Sequence, residues 1–337
     1  MIVYSYIICH VLRNAIYFWK VKMKILVTPT SLKPDSEGHA MKKLHAFASS
    51  LVFNPTGKPL TEDELIPLLS GCDGCVAGLD FFTAKVIEST DNLKVISRYG
   101  SGVDRVDLAA AKAKNIAVCN TPNANTQAVA DLTIALLLCL ARKIPVLDKK
   151  TREGQWPRST GIELFGKTIG ILGLGAIGKA VAHRASGFSM RILAYDPFMN
   201  IEYAESNGIV SAGFDTVIQE ADFLCLHLPL TDETRNIISA DVVKAMKKDA
   251  IIVNTARGGL IDEAAAYDHL VSGDLGGLGL DVFETEPPQE SPLFKLENVV
   301  LTPHIAAHTA EATAAMADMS VQNLIEVLSG RECKNIL

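Results

Sequence analysis

Short runs of β-branched and other apolar residues alternate along the chain with stretches in which apolar residues recur every three or four positions. The first pattern is typical of buried strands, and the second is typical of helices with one apolar face. Their alternation from Met23 onward predicts an α/β protein in which helices cover parallel sheets. We predict strands at 25–27, 51–53, 75–77, 95–97 and 116–119, and then at 168–172, 191–195, 223–227, 251–254, 278–281 and 299–302.

The segments between the predicted strands carry helix and loop signals. We predict helices at 61–70 and 106–114, the first of which opens with Thr61 and Glu64 in capping-box spacing. Residues 128–140 form the most apolar stretch, which predicts a buried helix that also suits a subunit contact. Residues 151–167 are rich in Gly, Pro, Ser and charge, a composition that predicts a loop between two domains.

Length and composition narrow the range of functions. A chain of 337 residues is long for one compact core, so two domains are expected. Charged residues make up 21% and the net charge is -6, which argues against binding of nucleic-acid phosphates. The seven cysteines are an odd number and are scattered, which is typical of reduced thiols and predicts a cytoplasmic location.

Metal binding and membrane insertion are not expected. Cys72 and Cys75 form a CxxC pair without a second pair to complete a metal site, so they predict packing. Neither HxH nor HExxH spacing occurs. Residues 1–22 are apolar and aromatic, but His10, Arg13 and Asn14 interrupt the run before the roughly 20 apolar residues that a membrane span needs. Because a charged residue and a strand-like run follow Met23, we expect Met23 to be the natural first residue.

A glycine-rich turn, Gly173-Leu-Gly-Ala-Ile-Gly178, lies between a predicted strand and a helical pattern. In that context the spacing predicts a dinucleotide-binding turn, which is favoured over a tight turn that binds nothing. Gly173 permits the turn, Gly175 lets the backbone approach a pyrophosphate, and Gly178 lets helix and strand pack closely. Asp196 ends the next strand, where a carboxylate accepts hydrogen bonds from ribose hydroxyls and repels a 2′-phosphate. The cofactor predicted is therefore NAD and not NADP.

Ionisable side chains follow three later strands, at the sheet edge where α/β proteins bind ligands. Arg257 follows the fourth strand of the second half, Glu286 lies just beyond the fifth, and His304 follows the sixth. A histidine can accept the hydroxyl proton during hydride transfer, and a neighbouring carboxylate orients its ring. An arginine fork matches a substrate carboxylate. The three residues together predict chemistry on a 2-hydroxy or 2-oxo acid.

Three other histidines are given lesser roles. His227 ends a strand but precedes Leu228 and Pro229 without an acidic neighbour, so we predict that it packs at the cofactor wall. His308 lies one helical turn after His304 and is the main alternative to it. His183 follows the glycine turn on a predicted helix and is expected to be structural.

Several stretches together resemble the D-isomer-specific 2-hydroxyacid dehydrogenase family, and most closely its phosphoglycerate dehydrogenase branch. The resemblance extends from about Met23 to the end of the chain, in the family's order. It rests on Arg98-Tyr-Gly-Ser-Gly-Val-Asp104, Asn120-Thr-Pro-Asn123, Gly166 to Gly178, Asn254-Thr-Ala-Arg-Gly-Gly259, Leu280-Asp-Val-Phe-Glu-Thr-Glu-Pro287 and Thr302-Pro-His304.

The resemblance implies a doubly wound Rossmann NAD-binding domain at 123–304 and a smaller, discontinuous flavodoxin-like α/β substrate domain at 23–122 and 305–337. It implies that Arg257, Glu286 and His304 are catalytic. For NAD it adds contacts from Ala176, Ile177, Asp196, Leu228, Thr255, Ala256 and Asp281, with His304 and Ala307 beside the nicotinamide. For the substrate carboxylate it implies the backbone N–H groups of the loop from Arg98 to Val103, with Arg98, Ser101, Gly102 and Val103 as the binding residues. It also implies a homodimer that meets at the 128–140 helix.

The resemblance leaves the substrate open. D-3-phosphoglycerate is the first expectation, which would place the chain in serine biosynthesis. The loop after the third strand reads Ala77-Gly-Leu-Asp80 where that branch commonly has a basic residue, so a glyoxylate or hydroxypyruvate reductase is the alternative. An NAD-sensing, corepressor-like interaction protein is the alternative outside enzymes. Since the sequence ends at Leu337, we expect no regulatory C-terminal domain.

Overall fold

The computed structural model describes residues 23–337. The expectations for residues 1–22, including Met23 as the natural start, lie outside the described residues. The described chain divides into two compact units, of which the first is residues 23–125 together with Ala310–Leu337, and the second is Thr126–Thr309. Residues 151–167 lie inside the second unit, so the interdomain loop predicted there is wrong. Gly, Pro and Ser mark a surface loop whether or not it separates domains.

The first unit is built on a parallel sheet whose strands are ordered β2-β1-β3-β4-β5. This 2-1-3-4-5 order is that of flavodoxin-like sheets and confirms the predicted fold class. Its described strands are β1 (Lys24–Val27), β2 (Ser50–Phe53), β3 (Gly74–Ala77), β4 (Val95–Arg98) and β5 (Ala117–Cys119). Its described helices are α1 (His39–Phe47), α2 (Glu62–Leu69), α3 (Ala84–Glu88), α4 (Leu108–Ala113) and, from the C-terminal part of the chain, α12 (Ala310–Leu328).

Local signals account for the ends of these elements. Thr61 and Glu64 form the predicted capping box at the start of α2, since the Thr61 hydroxyl accepts from the Glu64 N–H and the Glu64 carboxylate accepts from the Thr61 N–H. The helix α12 packs on the sheet through Val321 and Leu324, which are fully buried. Buried Ser97 of β4 also donates a 2.8 Å hydrogen bond to a carbonyl of α12.

The second unit is a longer parallel sheet ordered β8-β7-β6-β9-β10-β11-β12. Its first six strands have the 3-2-1-4-5-6 order of a doubly wound dinucleotide-binding sheet, which confirms the predicted class, although the sheet has seven described strands where six were predicted. The described strands are β6 (Thr168–Leu172), β7 (Arg191–Tyr195), β8 (Ile209–Ser211), β9 (Phe223–Leu226), β10 (Ala250–Asn254), β11 (Leu275–Leu280) and β12 (Val299–Leu301). The sequence prediction missed β8, because this short edge strand has only Ile209 buried and lacks a hydrophobic run.

Helices cover the second sheet. The described ones are α5 (Thr126–Ala141), α6 (Ile144–Arg152), α7 (Ala176–Gly187), α8 (Ile201–Ser206), α9 (Phe214–Glu220), α10 (Ala240–Ala245) and α11 (Glu263–Ser272), with a 3-10 turn at Pro292–Lys295. The predicted buried helix is α5, whose Leu136, Leu137 and Leu140 lie in the core of this unit. Among residues 23–337, no helix combines the length and apolarity that crossing a membrane would require.

Candidate active site

The glycine turn follows β6 and opens α7. Gly173 has a φ of +96°, and a Cβ there would lie 2.6 Å from the carbonyl oxygen of His227. A Cβ on Gly178 would lie 2.1 Å from the carbonyl oxygen of Gly173, so neither position can carry a side chain without backbone movement. A Cβ on Gly175 would meet no protein atom within 4 Å. Two glycines therefore allow close backbone packing, and the third faces open space.

The start of α7 faces the same open space. Gly175 is the N-cap and provides no side-chain cap, and Ala176 and Ile177 form the first turn. The first N–H groups of a helix have no intrahelical acceptor and form its positive end. An anion placed over Gly175 would therefore meet backbone donors, as a pyrophosphate does at such turns.

Asp196 lies directly after β7 and is fixed beside the glycine turn. Its carboxylate accepts hydrogen bonds from the N–H of Leu174 at 2.7 Å and from the N–H of Phe198 at 2.8 Å. Half-buried Asp196 thus brings a negative charge next to the open space over Gly175. Open space, helix N-terminus and fixed carboxylate together fit the pyrophosphate and ribose of NAD.

The other residues expected along NAD have different surroundings. Leu228 is buried two residues after the end of β9. The buried Thr255 hydroxyl lies 2.8 Å from the Thr133 hydroxyl of α5, which itself donates to a backbone carbonyl. The Thr255 hydroxyl is therefore used within the protein, which leaves its backbone for any cofactor contact. Ala256 is half-buried, and its N–H donates to the Asn254 side chain at 3.0 Å.

Asn254 shapes the loop that carries Arg257. Its side-chain oxygen accepts from Ala256, and its amide nitrogen donates to the Arg257 carbonyl at 2.7 Å, so the backbone curls directly after β10. Gly258 then contacts the loop after β11, where a Cβ would lie 1.8 Å from the carbonyl oxygen of Phe283. This close approach brings the Arg257 loop against the segment that leads to Glu286.

Asp281 holds the turn that carries His304. Its carboxylate accepts hydrogen bonds from the Thr302 hydroxyl at 2.6 Å and from the N–H groups of Ile305 and Ala306, both at 2.8 Å. Its carbonyl accepts from the His304 N–H at 2.9 Å. Burial raises the pKa of Asp281, while these hydrogen bonds oppose the rise. Both carboxylate oxygens thus face the histidine turn, a positioning role in addition to the expected cofactor contact.

His304 and Glu286 form the central pair of the site. The His304 Nδ1 atom lies 2.9 and 3.0 Å from the two Glu286 carboxylate oxygens, one of which also accepts from the Phe283 N–H at 3.2 Å. Since a carboxylate only accepts, Nδ1 carries the hydrogen and Nε2 is left as the atom that can exchange a proton. The two side chains are 27% and 15% exposed, so the pair is shielded but open on one side.

His183, His227 and His308 differ from His304 in their surroundings. His308 and His183 are exposed, and Ala307 next to His308 is half-buried. Both ring nitrogens of His227 are buried without a hydrogen-bond partner in the described part of the chain. This burial lowers the pKa of His227 to about 4. Within residues 23–337, no cluster of His, Cys, Asp or Glu could hold a metal ion.

The expected substrate loop lies in the first unit, and the Arg98 side chain at its start is buried. Arg98 is only 4% exposed, and its guanidinium donates to the carbonyls of Gly78 and Gly102, the latter at 3.3 Å. Its charge also favours the ionised form of the buried Asp80, whose pKa is raised by burial. The Arg98 side chain therefore supports the loop from inside the unit, because a buried cation needs buried acceptors.

The backbone of this loop has a consistent orientation. Its carbonyls at Gly100, Ser101 and Gly102 accept hydrogen bonds from the Thr121 N–H at 3.0 Å, the Asn120 amide at 2.8 Å and the Arg98 guanidinium. The N–H groups of Ser101, Gly102 and Val103 donate to no acceptor in the described chain. Sequence reasoning assigned no role to Asn120 or Asn254, although an asparagine at the end of a strand or directly after it is a signal for such a turn.

Comparison with known proteins places the chain in a family. The sequence model of the D-isomer specific 2-hydroxyacid dehydrogenase NAD binding domain matches residues 134–306. D-3-phosphoglycerate dehydrogenase from Methanocaldococcus jannaschii is 44% identical over 82% of this chain and 54% of its own length. Hydroxypyruvate reductase from Thermotoga maritima is 42% identical over 86% of this chain and 97% of its own length.

A solved structure adds to these relatives. D-lactate dehydrogenase from Aquifex aeolicus, complexed with NAD and lactic acid, has a TM-score of 0.79 and 27% identity over 91% of this chain and 96% of its own. The chain spans about half the length of the phosphoglycerate dehydrogenases that it matches. The matched domain, the relatives and the two sheets agree: the chain belongs to the D-isomer specific 2-hydroxyacid dehydrogenase family, a family of NAD-dependent oxidoreductases.

Proposed function

We propose that this chain interconverts a D-2-hydroxy acid and its 2-oxo acid by hydride transfer with NAD. The observation that carries the proposal is the His304–Glu286 pair, 2.9 Å apart at the edge of the sheet whose strand β6 leads into the glycine turn. A shielded imidazole with one nitrogen held by a carboxylate is a suitable acid and base for a hydroxyl proton. When bound, NAD supplies the carbon that accepts or donates the hydride.

The residues of the second unit have separate proposed roles in cofactor binding and proton transfer. Gly173, Gly175 and Gly178 with the first turn of α7 would hold the pyrophosphate, and Asp196 would accept hydrogen bonds from the ribose hydroxyls. During oxidation, His304 Nε2 takes the hydroxyl proton while Glu286 fixes the ring and stabilises the imidazolium. During reduction, the same atom returns the proton to the carbonyl oxygen.

Arg257 is proposed to bind the substrate. Its guanidinium has five N–H donors in a planar fork, and one of them donates to the Ala256 carbonyl at 2.7 Å. A charge-assisted hydrogen bond to the carboxylate and the neighbouring oxygen would orient C2 and stabilise charge that develops there. The outward N–H groups of Ser101, Gly102 and Val103 are proposed as a second carboxylate site.

Two substrates follow from different observations. D-3-phosphoglycerate, and with it serine biosynthesis, is supported by the 44% identity to phosphoglycerate dehydrogenases. A glyoxylate or hydroxypyruvate reductase is supported by a relative that the chain covers over 97% of its length, and by the lack of a basic residue at Ala77-Gly-Leu-Asp80. The side chain of Arg105 nevertheless brings a positive charge to this loop. Its guanidinium donates a hydrogen bond to the Leu79 carbonyl at 2.8 Å, and its guanidinium carbon lies 4.6 Å from the centre of the Phe81 ring.

A panel of 2-oxo acids, followed by NADH absorbance, tests the proposal. 3-Phosphooxypyruvate and hydroxypyruvate form a matched pair with and without phosphate, and glyoxylate is the smallest member. We expect turnover of at least one member, with a higher kcat/KM for the phosphorylated acid if phosphoglycerate is the substrate. Tight NADH binding without turnover of any 2-oxo acid would instead support the NAD-sensing interaction protein.

We also propose a cytoplasmic homodimer. The six described cysteines are free thiols, in keeping with a reducing compartment. Four large apolar side chains from the start of α6 to the segment before β6 are exposed, namely Ile144 at 49%, Trp156 at 80%, Ile162 at 39% and Phe165 at 70%. Because exposed apolar groups at this density mark contact surfaces, we propose that a second copy covers residues 144–165. Light scattering of the wild type and of a Trp156→Ser, Phe165→Ser variant tests this: a monomeric wild type would refute it.

A further inference from the structure

The substrate loop of the first unit is held by side chains far from it in sequence. The Asn120 amide nitrogen donates to the Ser101 carbonyl at 2.8 Å, and the Asn323 amide nitrogen of α12 donates to the Asn120 carbonyl at 2.8 Å. Asn323 is 2% exposed, so its hydrogen bonds are made in a low-dielectric interior. The two amides thus connect α12 to the loop.

The orientation of Asn323 is fixed from its other side. Its side-chain oxygen accepts from the Asn335 amide at 2.9 Å and from the Cys333 thiol at 3.6 Å. Because the Asn120 carbonyl can only accept, the group of Asn323 that faces it must be the amide nitrogen. The C-terminal residues therefore orient Asn323, and Asn323 orients Asn120.

The orientation of each anchored carbonyl also fixes the orientation of the N–H group that follows it. The carbonyl of one residue and the N–H of the next belong to one planar trans peptide and point in opposite directions. Anchoring the Gly100, Ser101 and Gly102 carbonyls toward the unit therefore turns the N–H groups of Ser101, Gly102 and Val103 away from it. None of those three N–H groups donates to an acceptor within residues 23–337.

We propose that Asn120 and Asn323 are positioning residues that hold this row of N–H groups in place for the substrate carboxylate. The proposal rests on the proposed function, because it takes the loop as the carboxylate site. It assigns to the pair an effect on substrate binding and none on cofactor binding or the proton transfer. A separate hydrogen bond joins α12 to the sheet: the Ser97 hydroxyl of β4 donates to the Ser320 carbonyl at 2.8 Å.

Three variants separate positioning from packing. Asn120→Ala removes the donor to Ser101, and Asn323→Leu removes the donor to Asn120 at similar volume. Ser97→Ala is the matched control, because it removes a buried hydrogen bond to α12 without touching the loop. For each variant we would measure KM and kcat with the best 2-oxo acid, NADH affinity, thermal stability and amide hydrogen exchange of a peptide spanning residues 99–105.

We expect KM for the 2-oxo acid to rise about 10-fold in Asn120→Ala and Asn323→Leu, with kcat and NADH affinity within about 2-fold of the wild type. Exchange in the 99–105 peptide should accelerate in both variants, and Ser97→Ala should lose stability without either effect. Equal KM values in wild type and Asn120→Ala would overturn the inference, and so would an equal rise of KM in Ser97→Ala. Because Asn120 is only half-buried, the Asn120→Ala variant still tests the inference if Asn323→Leu does not fold. If the wild type reduces no 2-oxo acid, the proposed function fails, and unchanged exchange in Asn120→Ala would then overturn this inference separately.

Discussion

Replacing Gly258 by alanine should separate the loop that carries Arg257 from the segment that leads to Glu286. A Cβ at this position would lie 1.8 Å from the Phe283 carbonyl oxygen, 2.1 Å from its carbon and 2.6 Å from the Glu284 nitrogen. Because all three are backbone atoms, no side chain can rotate away. The segments must move apart by at least about 1.6 Å to reach an ordinary contact of 3.4 Å. A displacement near 1 Å in an active site costs about 100-fold in rate.

The expected result is a kcat/KM for the 2-oxo acid about 100-fold below the wild type, with NADH affinity reduced much less, since Gly258 is not part of the glycine turn. Overpacking should also lower the free energy of unfolding by about 1–3 kcal/mol. Steady-state kinetics, NADH fluorescence titration and thermal unfolding measure the three quantities. Gly187→Ala is the control, because this residue ends α7 and its Cβ would meet no atom within 4 Å. Wild-type kinetics in Gly258→Ala would refute the claim that this contact sets the loop geometry.

Three further predictions concern the glycine turn, the phosphate group of the substrate and the pH dependence of stability. Gly175→Ala should fold normally, since its Cβ meets no protein atom within 4 Å. Its NADH affinity, measured by titration, should fall at least about 10-fold because the Cβ enters the space proposed for the pyrophosphate. An unchanged affinity would mean that the cofactor binds elsewhere. Arg105→Ala should raise KM about 10-fold for 3-phosphooxypyruvate but not for hydroxypyruvate if Arg105 binds the phosphate, and an equal effect on both would refute that role. Burial lowers the pKa of His227 from 6.5 to about 4. As the pH falls from 6.5 toward 4, His227 therefore gains a proton in the unfolded state but not in the folded state, and the free energy of unfolding should fall by up to about 3 kcal/mol. Urea unfolding across this range should show a smaller fall in His227→Leu; identical pH dependence would contradict the burial argument.

Features encoded by neighbouring residues could be predicted from the sequence. The glycine turn and the Thr61 capping box depend on residues a few positions apart, and both lie in the structure where the spacing indicated. The strands β6 and β7 were predicted to the residue, because each is a buried run with clear ends. Edge strand β8 was missed because its exposed residues carry no such pattern.

Features that depend on distant residues could not be predicted. The resemblance implied backbone contacts from the loop that begins at Arg98, but no local pattern indicates that the Arg98 side chain is held inside the unit by Gly78 and Asp80, which come from the loop after β3. Asn120 and Asn323 are 203 positions apart, and no local pattern indicates that they pair. The resemblance implied a cofactor contact for Asp281, and its additional hold on the His304 turn could not be predicted because it depends on how β11 and β12 lie side by side.

The most direct test of the central claim is deuterium transfer from NADH labelled at C4 of the nicotinamide to a 2-oxo acid, followed by chiral analysis of the product. Wild-type protein should place deuterium on C2 of the D-2-hydroxy acid, and His304→Ala should slow that transfer about 1,000-fold while NADH binding stays within about 2-fold. An L-hydroxy acid product, deuterium lost to solvent, or an undiminished rate in His304→Ala would contradict the account.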